Sequence, residues 1–338
     1  MRITFVLRPD AYLVRGGAEI QFEHTKRELE ALGHSVDVLT SLSTDVGDVV
    51  HFFGTWESHW LAASQLLRRG IPYVCSPIYT STRTPSAESL RRRRRALLGN
   101  SQKYLTRLFA GANDIICLTS LELKRVEAAF NVPSSKFSII PNGVDPRFAA
   151  GDPVLFRAHY GVQEDFVLHC GSIYPDKNQV RLAQALQGTG IRLICLGPTF
   201  EPEYRKQLEE LEVAILDPIP SESNLLPGAY AAARVFCLPS KFEVFSLAAL
   251  EAAAAGCGLV LSNTWGAEEH FDHWAEYVDY RSVDSIRGAV ERKWAERSAS
   301  SPEAGEELMR QSQRSHFIEK FSWPSVAKQL LAIYSRYV

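Results

Sequence analysis

The sequence lacks the cysteine patterns of disulfide-stabilised and zinc-binding proteins. None of its six cysteines forms a Cys-x-x-Cys pair, the spacing that often marks a redox or metal site. Most of them lie in or beside apolar runs that are typical of strands: Cys75, Cys117, Cys170, Cys195, Cys237 and Cys257. We therefore expect buried, reduced thiols rather than disulfides or a metal site.

Long apolar runs and a cleavable leader are also missing. The longest apolar stretch, near Ala252, contains Glu251 and is too short to span a bilayer. Residues 1–8 hold a short apolar run without the small-residue pattern of a cleavage site, so they predict a first β-strand. These absences predict a cytoplasmic protein.

Charge is nearly balanced over the 338 residues, with a net charge of −2, but it is not balanced between the two halves. Residues 1–147 carry 19 Lys and Arg against 14 Asp and Glu, whereas residues 148–338 carry 18 against 25. Much of the basic excess comes from five consecutive arginines: Arg91, Arg92, Arg93, Arg94 and Arg95. This run is either a solvated helix face or a contact for an anionic acceptor or an anionic membrane surface at the inner face. Nucleic acid is disfavoured, because no aromatic residues are interleaved with the run.

Strand-like apolar runs alternate with helix-like segments, a pattern typical of parallel sheets with helices on both faces. The first half predicts strands at 3–7, 35–40, 49–53, 73–76, 114–118 and 137–140, and helices at 18–32, 88–110 and 121–130. Turn residues at 141–146 interrupt the pattern, which resumes with strands at 166–169, 191–196, 213–216, 235–238 and 259–262. The tail predicts a capped helix at 325–337 with Pro324 at its start. A chain of this length has room for two such domains.

The segment 239–256 carries the most specific chemistry. It begins where the strand 235–238 ends and continues into an Ala-rich helix that stops at Gly256. Glu243 precedes the helix, and Glu251 lies within it eight positions later. Free N–H groups at a helix N-terminus bind phosphate, and carboxylates accept hydrogen bonds from sugar hydroxyls. This layout predicts a nucleotide-sugar site.

The same segment resembles the Glu-x7-Glu signature of retaining glycosyltransferases with two Rossmann-like domains. A second segment, Ile-Pro-Asn-Gly-Val-Asp at 140–145, is a tight turn that also resembles the segment between the two domains of family 4 glycosyltransferases. The resemblance covers nearly the whole chain and implies the α/β fold class called GT-B. In that fold two doubly wound Rossmann-like domains face each other across a cleft, and a C-terminal helix returns to the N-terminal domain. The implied domains are 1–147 plus 322–338 on the acceptor side and 148–321 on the donor side.

The resemblance also implies a set of donor-binding residues. Glu251 would bind the ribose hydroxyls, Glu243 would lie near the transferred sugar, and Lys177 would neutralise the donor diphosphate. Ser172 stands where the family usually has Arg, and Ser246 stands where it often has Gly, so both departures concern the donor phosphates. The other predicted donor contacts are Gly16, Gly17, Gly171, Asn178, Gly197, Pro218, Ile219, Val244, Phe245 and Leu247.

Two of these predictions rest on short signals. Gly16 and Gly17 follow the first strand and open a helix, as a phosphate- or sugar-binding turn does, but a plain Gly-Gly turn explains them equally well. The pair lacks the full G-x-G-x-x-G pattern, which disfavours an NAD enzyme. His51 ends a strand in an Asp-Val-Val-His segment shared with relatives, and it is open to a structural or a catalytic interpretation.

The implied reaction transfers a sugar with retention from a UDP- or GDP-linked donor to a hydroxyl of a glycan, a glycolipid or a small molecule. The catalytic candidates are Glu243, Lys177 and His51. No metal and no cofactor is expected, since the sequence has no convincing Asp-x-Asp motif and the nucleotide sugar is a co-substrate. Two alternatives stay open: a non-catalytic partner subunit with this fold, which the departures at Ser172 and Ser246 favour, and a sugar-nucleotide epimerase, which the segment 141–145 disfavours.

Overall fold

A computed structural model of the chain describes residues 1–8, 11, 16–40, 43, 45–81, 83–95, 100–297 and 304–338, with the backbone alone at 92–95, 100, 101 and 304. Its contacts divide the chain into two compact units. Unit 1 comprises Met1–Gly143 and Trp323–Val338, and unit 2 comprises Val144–Ser322. The first change of unit therefore falls between Gly143 and Val144, inside the predicted turn segment.

Unit 1 is built on a parallel six-stranded sheet in the order β2-β1-β3-β4-β5-β6. Every residue of β3, β4 and β5 is buried, as expected for central strands with helices on both faces. The strands are β1 Arg2–Val6, β2 Ser35–Val38, β3 Val49–Phe53, β4 Tyr73–Ser76, β5 Asp114–Cys117 and β6 Phe137–Ile139. The helices are α1 Gly17–Ala31, α2 His59–Arg69, α3 Pro85–Arg95, α4 Asn100–Gly111 and α5 Ser120–Phe130.

Unit 2 repeats this architecture, with the strand order β12-β11-β10-β7-β8-β9. Its strands are β7 Phe166–Cys170, β8 Arg192–Leu196, β9 Ala214–Leu216, β10 Val235–Leu238, β11 Gly258–Ser262 and β12 Ala275–Val278. Its helices are α6 Pro153–Tyr160, α7 Gln179–Leu186, α8 Pro202–Glu210, α9 Leu225–Ala232, α10 Leu247–Ala255, α11 Glu268–Phe271, α12 Val283–Glu296 and α13 Ala304–Lys320. The chain thus reverses its direction of winding between β7 and β10, which are neighbours in the sheet.

The predicted α/β architecture of two doubly wound sheets is confirmed, with three local corrections. The helix α2, His59–Arg69, was not predicted. The strand β12 was not predicted, because Glu276 and Tyr277 make it half polar at the edge of the sheet. The single helix predicted at 88–110 is instead two helices, α3 and α4, and residues 96–99 between them lie outside the described part. All six cysteines are free, as expected, and five of them are buried.

The last helix, α14 Trp323–Tyr334, belongs to unit 1 and packs against α1. The indole of Trp323 stacks on the ring of His24 in α1 with a centroid distance of 4.9 Å. The predicted return of the C-terminal helix to the N-terminal domain is therefore confirmed. Among the described residues, none of the helices combines the length and the apolar character needed to cross a membrane.

Candidate functional site

The site in unit 2 lies at the carboxyl ends of β7 and β10. Strands on either side of this point are connected in opposite directions, and open α/β sheets bind ligands at such a switch point. The segment after β7 contains Lys177, and the segment after β10 contains Glu243 and leads into α10. The topology therefore brings Lys177 and the segment 239–256 to one edge of one sheet.

Lys177 and Glu243 form an ion pair across this switch point. Lys177 ends the short 3-10 turn Pro175–Lys177, and its Nζ lies 2.5 Å from Oε1 of Glu243. Burial opposes the charge of the ammonium group, but the Glu243 carboxylate outweighs this effect and holds the pKa of Lys177 above its usual value. The side chains are only 20% and 13% exposed, so bulk water screens the pair weakly.

A second link ties the same two segments together. The backbone N–H of Lys241 donates to the carbonyl of Asp176 at 2.8 Å, and the two side chains lie 3.3 Å apart, between Nζ and Oδ1. Asn178 adds a third link, since its Nδ2 donates to the carbonyl oxygens of Pro239 and Tyr280. The position of Lys177 is thus fixed by several contacts that do not depend on Lys177 itself.

Ser246 is the N-cap of α10. Its Oγ accepts a hydrogen bond of 3.2 Å from the backbone N–H of Ala249, and the side chain is buried. The first backbone N–H groups of a helix have no partner within the helix, so those of Leu247 and Ala248 remain oriented towards the start of α10. The hydroxyl that replaces the family's usual Gly therefore stabilises the helix start and takes up one of its donor groups.

Glu251 lies on the second turn of α10, where it is half-buried. The hydroxyl of Tyr230 in α9 donates to its Oε2 at 2.6 Å. Burial raises the pKa of Glu251 to about 7, although the Tyr230 hydroxyl and the nearby Arg147 favour the ionised form. A carboxylate of this kind can accept hydrogen bonds from hydroxyl groups of a ligand. A ligand with two such hydroxyl groups would offset the free-energy cost of burying the charge.

Two glycines allow the ends of β7 and β8 to approach closely. A Cβ on Gly197 would lie 2.3 Å from the carbonyl oxygen of Gly171, so no side chain fits at this position. Gly171 itself has φ +151°, and Ser172 offers its carbonyl to Nε2 of Gln179 at 2.7 Å. Residues 171 and 172 thus form a turn without a charged side chain. Lys177 is the first cationic residue that follows this turn in the sequence.

The other predicted donor contacts in unit 2 fall at the same edge of the sheet. Pro218 is exposed and Ile219 is half-buried directly after β9, while Val244 and Phe245 are buried before α10. Phe245 packs edge-on against His270, with ring centroids 4.9 Å apart. The side chain of Phe245 therefore serves the core, and any contact of this residue with a ligand would use its backbone.

In unit 1, Gly16 and Gly17 lie at the start of α1. Gly16 is the N-cap and has an extended backbone, and its N–H donates to Oε2 of Glu19 at 2.8 Å. Glu19 also pairs with Arg8, whose Nε lies 2.9 Å from its Oε1. The amide of Gly16 is therefore occupied within the protein, while Gly17 is the first helical residue.

His51 is buried in unit 1, and both of its ring nitrogens have partners. Nδ1 lies 2.7 Å from the hydroxyl of Tyr334 in α14, and Nε2 lies 2.8 Å from Oγ of Ser76. Burial lowers the pKa of His51 to about 3, so the ring is neutral at physiological pH. The catalytic role predicted for His51 finds no support in this geometry, which instead joins the last helix to the sheet.

Removal of the Tyr334 hydroxyl tests this interpretation of His51. We expect Tyr334→Phe to lower the free energy of unfolding by about 1–2 kcal/mol, because a buried ring nitrogen loses its partner. Transfer activity should be unchanged at temperatures where the variant is folded. Tyr337→Phe is the matched control, since that hydroxyl donates to Asn113 at the surface. A large loss of kcat in a folded Tyr334→Phe protein would contradict a purely structural role.

Tyr230 is the residue of this site that the sequence did not indicate. It lies in an apolar helix, 21 positions before Glu251, and its ring packs against Phe148 and Phe236. An aromatic residue in such a helix is normally interpreted as a core residue, and no local spacing in the sequence connects Tyr230 with Glu251. Only the packing of α9 against α10 brings the two side chains together.

Comparison with known protein families gives two matches. The family described as "Glycosyl transferases group 1" matches residues 156–301, and the family described as "Glycosyltransferase Family 4" matches residues 47–148. An uncharacterized glycosyltransferase of Methanocaldococcus jannaschii is 27% identical over 317 residues, covering 87% of this chain and 76% of the relative. An MMP alpha-(1->4)-mannosyltransferase of Mycolicibacterium hassiacum is 26% identical, covering 80% of this chain and 67% of the relative.

Solved structures agree at the level of the fold. The Anabaena protein HepE in complex with UDP superposes with a TM-score of 0.76 at 16% identity, covering 99% of this chain and all of the other. A glycosyltransferase of Rickettsia africae superposes with a TM-score of 0.78 at 14% identity, covering 99% and 98% of the two chains. At this level of identity the similarity establishes the two-domain α/β fold alone.

Proposed function

The chain belongs to the group 1 (family 4) glycosyltransferases, and we propose that it moves a hexosyl group from a UDP- or GDP-linked sugar to an acceptor hydroxyl. The observation that carries this proposal is the Lys177–Glu243 ion pair at the switch point of unit 2, directly before the N-terminus of α10. A cation, a helix N-terminus and two carboxylates at one edge are the groups that a nucleotide sugar requires.

The leaving nucleoside diphosphate is the group that most needs stabilisation. Negative charge develops on its phosphate oxygens as the bond to the sugar breaks, and donors held in place before the reaction lower this barrier. Lys177 and the backbone N–H groups at the start of α10 would take this role. Glu243 would hold a hydroxyl of the transferred sugar, and Glu251 would accept the ribose hydroxyls.

We assign the transfer a retaining course that needs no metal ion, as the Glu-x7-Glu resemblance implies. The new bond would form between the acceptor oxygen and the anomeric carbon on the face from which the diphosphate leaves. The acceptor proton would pass to the departing phosphate, so no protein base is required for this step. His51 takes no part, because its ring is neutral, buried and fully hydrogen-bonded.

The donor nucleotide can be identified by thermal stabilisation. HepE was crystallised with UDP, whereas mycobacterial relatives of this chain are named for GDP-mannose, so both nucleotides are candidates here. We expect one of UDP and GDP to raise the unfolding temperature, because a ligand at 100 times its Kd stabilises the folded state by about 2.7 kcal/mol. No shift with either nucleotide or its sugars, measured by scanning fluorimetry, would contradict the proposal.

The acceptor is expected to be a glycan, a glycolipid or a small molecule bound by unit 1, at the cytoplasmic side. We place a peripheral contact with an anionic membrane at the run from Arg91 to Arg95, which ends helix α3. Arg91 lies 3.7 Å from Glu88, between Nη1 and Oε2, and the side chains of the other four arginines lie outside the described part. Sedimentation with anionic vesicles, compared with neutral ones, tests this contact.

A non-catalytic partner subunit is the second candidate, and the turn at Ser172 favours it. The family resemblance predicts a charged Arg at this position, whereas Ser172 has an uncharged side chain and its carbonyl accepts a hydrogen bond from Gln179. A partner subunit would bind the nucleotide sugar tightly without transferring or hydrolysing it. Release of nucleoside diphosphate from a matched donor and acceptor therefore distinguishes the two.

A further inference from the structure

Glu251, which is predicted to bind the sugar donor, is hydrogen-bonded to the fully buried side chain of Tyr230. The Tyr230 hydroxyl donates to Oε2 of Glu251 at 2.6 Å, and the tyrosine side chain is fully buried. This bond occupies one lone pair of Oε2 from the side of α9. Among the described residues the hydrogen bond to this carboxylate comes from Tyr230, and a carboxylate has further acceptor positions on Oε1 with which a ligand can interact.

The charged and titratable groups that face Glu251 come from three sides. Tyr230 approaches from α9, and Cys170 at the end of β7 lies beside both side chains. Arg147 and Asp145 approach from the segment before α6, where Arg147 Nε lies 3.5 Å from Oδ2 of Asp145. Arg310 and Arg314 of α13 face the opposite end of α10, at Gly256.

We propose that Tyr230 is a positioning residue for nucleotide recognition: its hydroxyl fixes Oε2 of Glu251 and thereby aims Oε1 at the two ribose hydroxyls. This inference rests on the proposed function and adds to it a residue on a different helix. Tyr230 does not touch the ligand in this scheme. It acts by restricting the rotamer of Glu251 and by stabilising the form of the carboxyl group that accepts hydrogen bonds.

The proposal has a consequence that a merely structural tyrosine would not have. Glu251 must be ionised to accept both ribose hydroxyls, and its pKa of about 7 already lies close to working pH. The Tyr230 hydroxyl stabilises the ionised form, so its loss moves the pKa of Glu251 further upwards. The penalty for losing this hydroxyl is therefore large near pH 7 and becomes smaller near pH 9.

The test is the affinity of Tyr230→Phe for UDP, GDP and ADP, measured by calorimetry on the full chain at pH 7 and pH 9. We expect the best-bound nucleotide to lose about tenfold in affinity at pH 7 and clearly less at pH 9, relative to wild type at each pH. Tyr73→Phe is the matched control, since Tyr73 is a fully buried tyrosine of unit 1 whose hydroxyl donates to Leu108 at 2.7 Å. This control should bind nucleotide as wild type does.

A ligand that lacks the ribose hydroxyls completes a thermodynamic cycle of two proteins and two ligands. The 2′,3′-dideoxy form of the same nucleotide cannot use Glu251, so wild type and Tyr230→Phe should bind it equally. An equal loss for both ligands, or a loss of the same size at both pH values, would overturn the positioning role. Unchanged affinity of Tyr230→Phe would overturn it too while the proposed function stands, whereas a wild-type protein that binds none of the three nucleotides overturns both.

Discussion

Replacing Lys177 by Ala should reduce the rate of sugar transfer by at least about 10²–10³-fold, with the fold preserved. Lys177 is paired with Glu243, which lies three residues before Ser246, the N-cap of α10. Removal of one preorganised group that stabilises developing charge typically costs this much in kcat. Transfer with the matched donor and acceptor, followed as release of nucleoside diphosphate, measures the effect.

Lys241→Ala is the control that the chain itself offers. Lys241 lies on the segment that carries Glu243, and it pairs with Asp176, the residue directly before Lys177. The substitution removes a positive charge from the same pair of segments, but the ammonium group of Lys241 is paired with Asp176, whereas that of Lys177 is paired with Glu243. We expect its transfer rate to stay within a few-fold of wild type. Equal losses in the two variants would show that general positive charge, and not the position of Lys177, supports the reaction.

The ion pair also predicts how the Lys177 variant binds. The ammonium group is held by Glu243, so a donor diphosphate must compete with that carboxylate. Lys177→Ala leaves Glu243 without its counter-charge at a place where it is only 13% exposed, and an anionic donor then meets a repulsive site. The variant should therefore lose donor affinity in addition to kcat. The segment itself should hold, because Asn178 and the Lys241 backbone bind it independently.

The sequence was most informative where the chemistry is local. Glu243, Ser246 and Glu251 lie within nine residues of one another, so a motif of fixed spacing describes their placement on and before one helix. Lys177 follows a predicted strand, and parallel strands with right-handed connections bring such segments to one edge. The edge of the sheet could thus be predicted from the sequence, while the nucleotide-sugar ligand stays a prediction.

The sequence was least informative where the contacts are distant. Tyr230 meets Glu251 through helix packing, and Asn178 turns to the carbonyls of Pro239 and Tyr280, which are 61 and 102 residues away. The Asp-Val-Val-His segment places His51 at a strand end but does not indicate its partner in the last helix, 283 residues further on. A side chain that satisfies distant backbone or hydroxyl groups leaves no periodic trace, so sequence reasoning assigns it to the ligand or to the core.

Glu251→Gln should abolish most of the transfer activity and at the same time make the protein more stable at alkaline pH. The unfolded chain ionises this carboxyl group near its ordinary pKa of about 4.3, whereas the folded protein does so at about 7. Between these values the folded state keeps a proton that the unfolded state has lost, so the free energy of unfolding falls as pH rises through this window. The neutral amide cannot ionise, and its Oε1 can still accept the hydroxyl of Tyr230.

The free energy of unfolding of Glu251→Gln should exceed that of wild type by on the order of 3 kcal/mol above pH 8, and this difference should vanish near pH 4. Urea unfolding of wild type and variant at pH 4.5, 6 and 8 measures it, read on the transition that reports unit 2. Glu122→Gln is the informative control, because the pKa of Glu122 is also raised to about 7 by burial. Its two carboxylate oxygens accept hydrogen bonds from the backbone N–H groups of Tyr79 and Leu118. In Glu122→Gln the side-chain NH2 group would face one of these N–H groups, donor against donor, and this would destabilise unit 1.

The contrast between Glu122 and Glu251 indicates which of the two glutamates serves a ligand. Both oxygens of Glu122 accept backbone N–H groups, from Tyr79 and Leu118, whereas within the described residues Glu251 accepts the hydroxyl of Tyr230 on Oε2. Ionisation of Glu251 lowers the stability of the fold. We therefore expect its charge to serve function, as in other active-site residues that reduce stability. Stabilisation of Glu251→Gln at pH 8 together with loss of nucleotide binding would establish that trade-off. A variant that is less stable than wild type at pH 8 would instead make Glu251 a structural residue like Glu122.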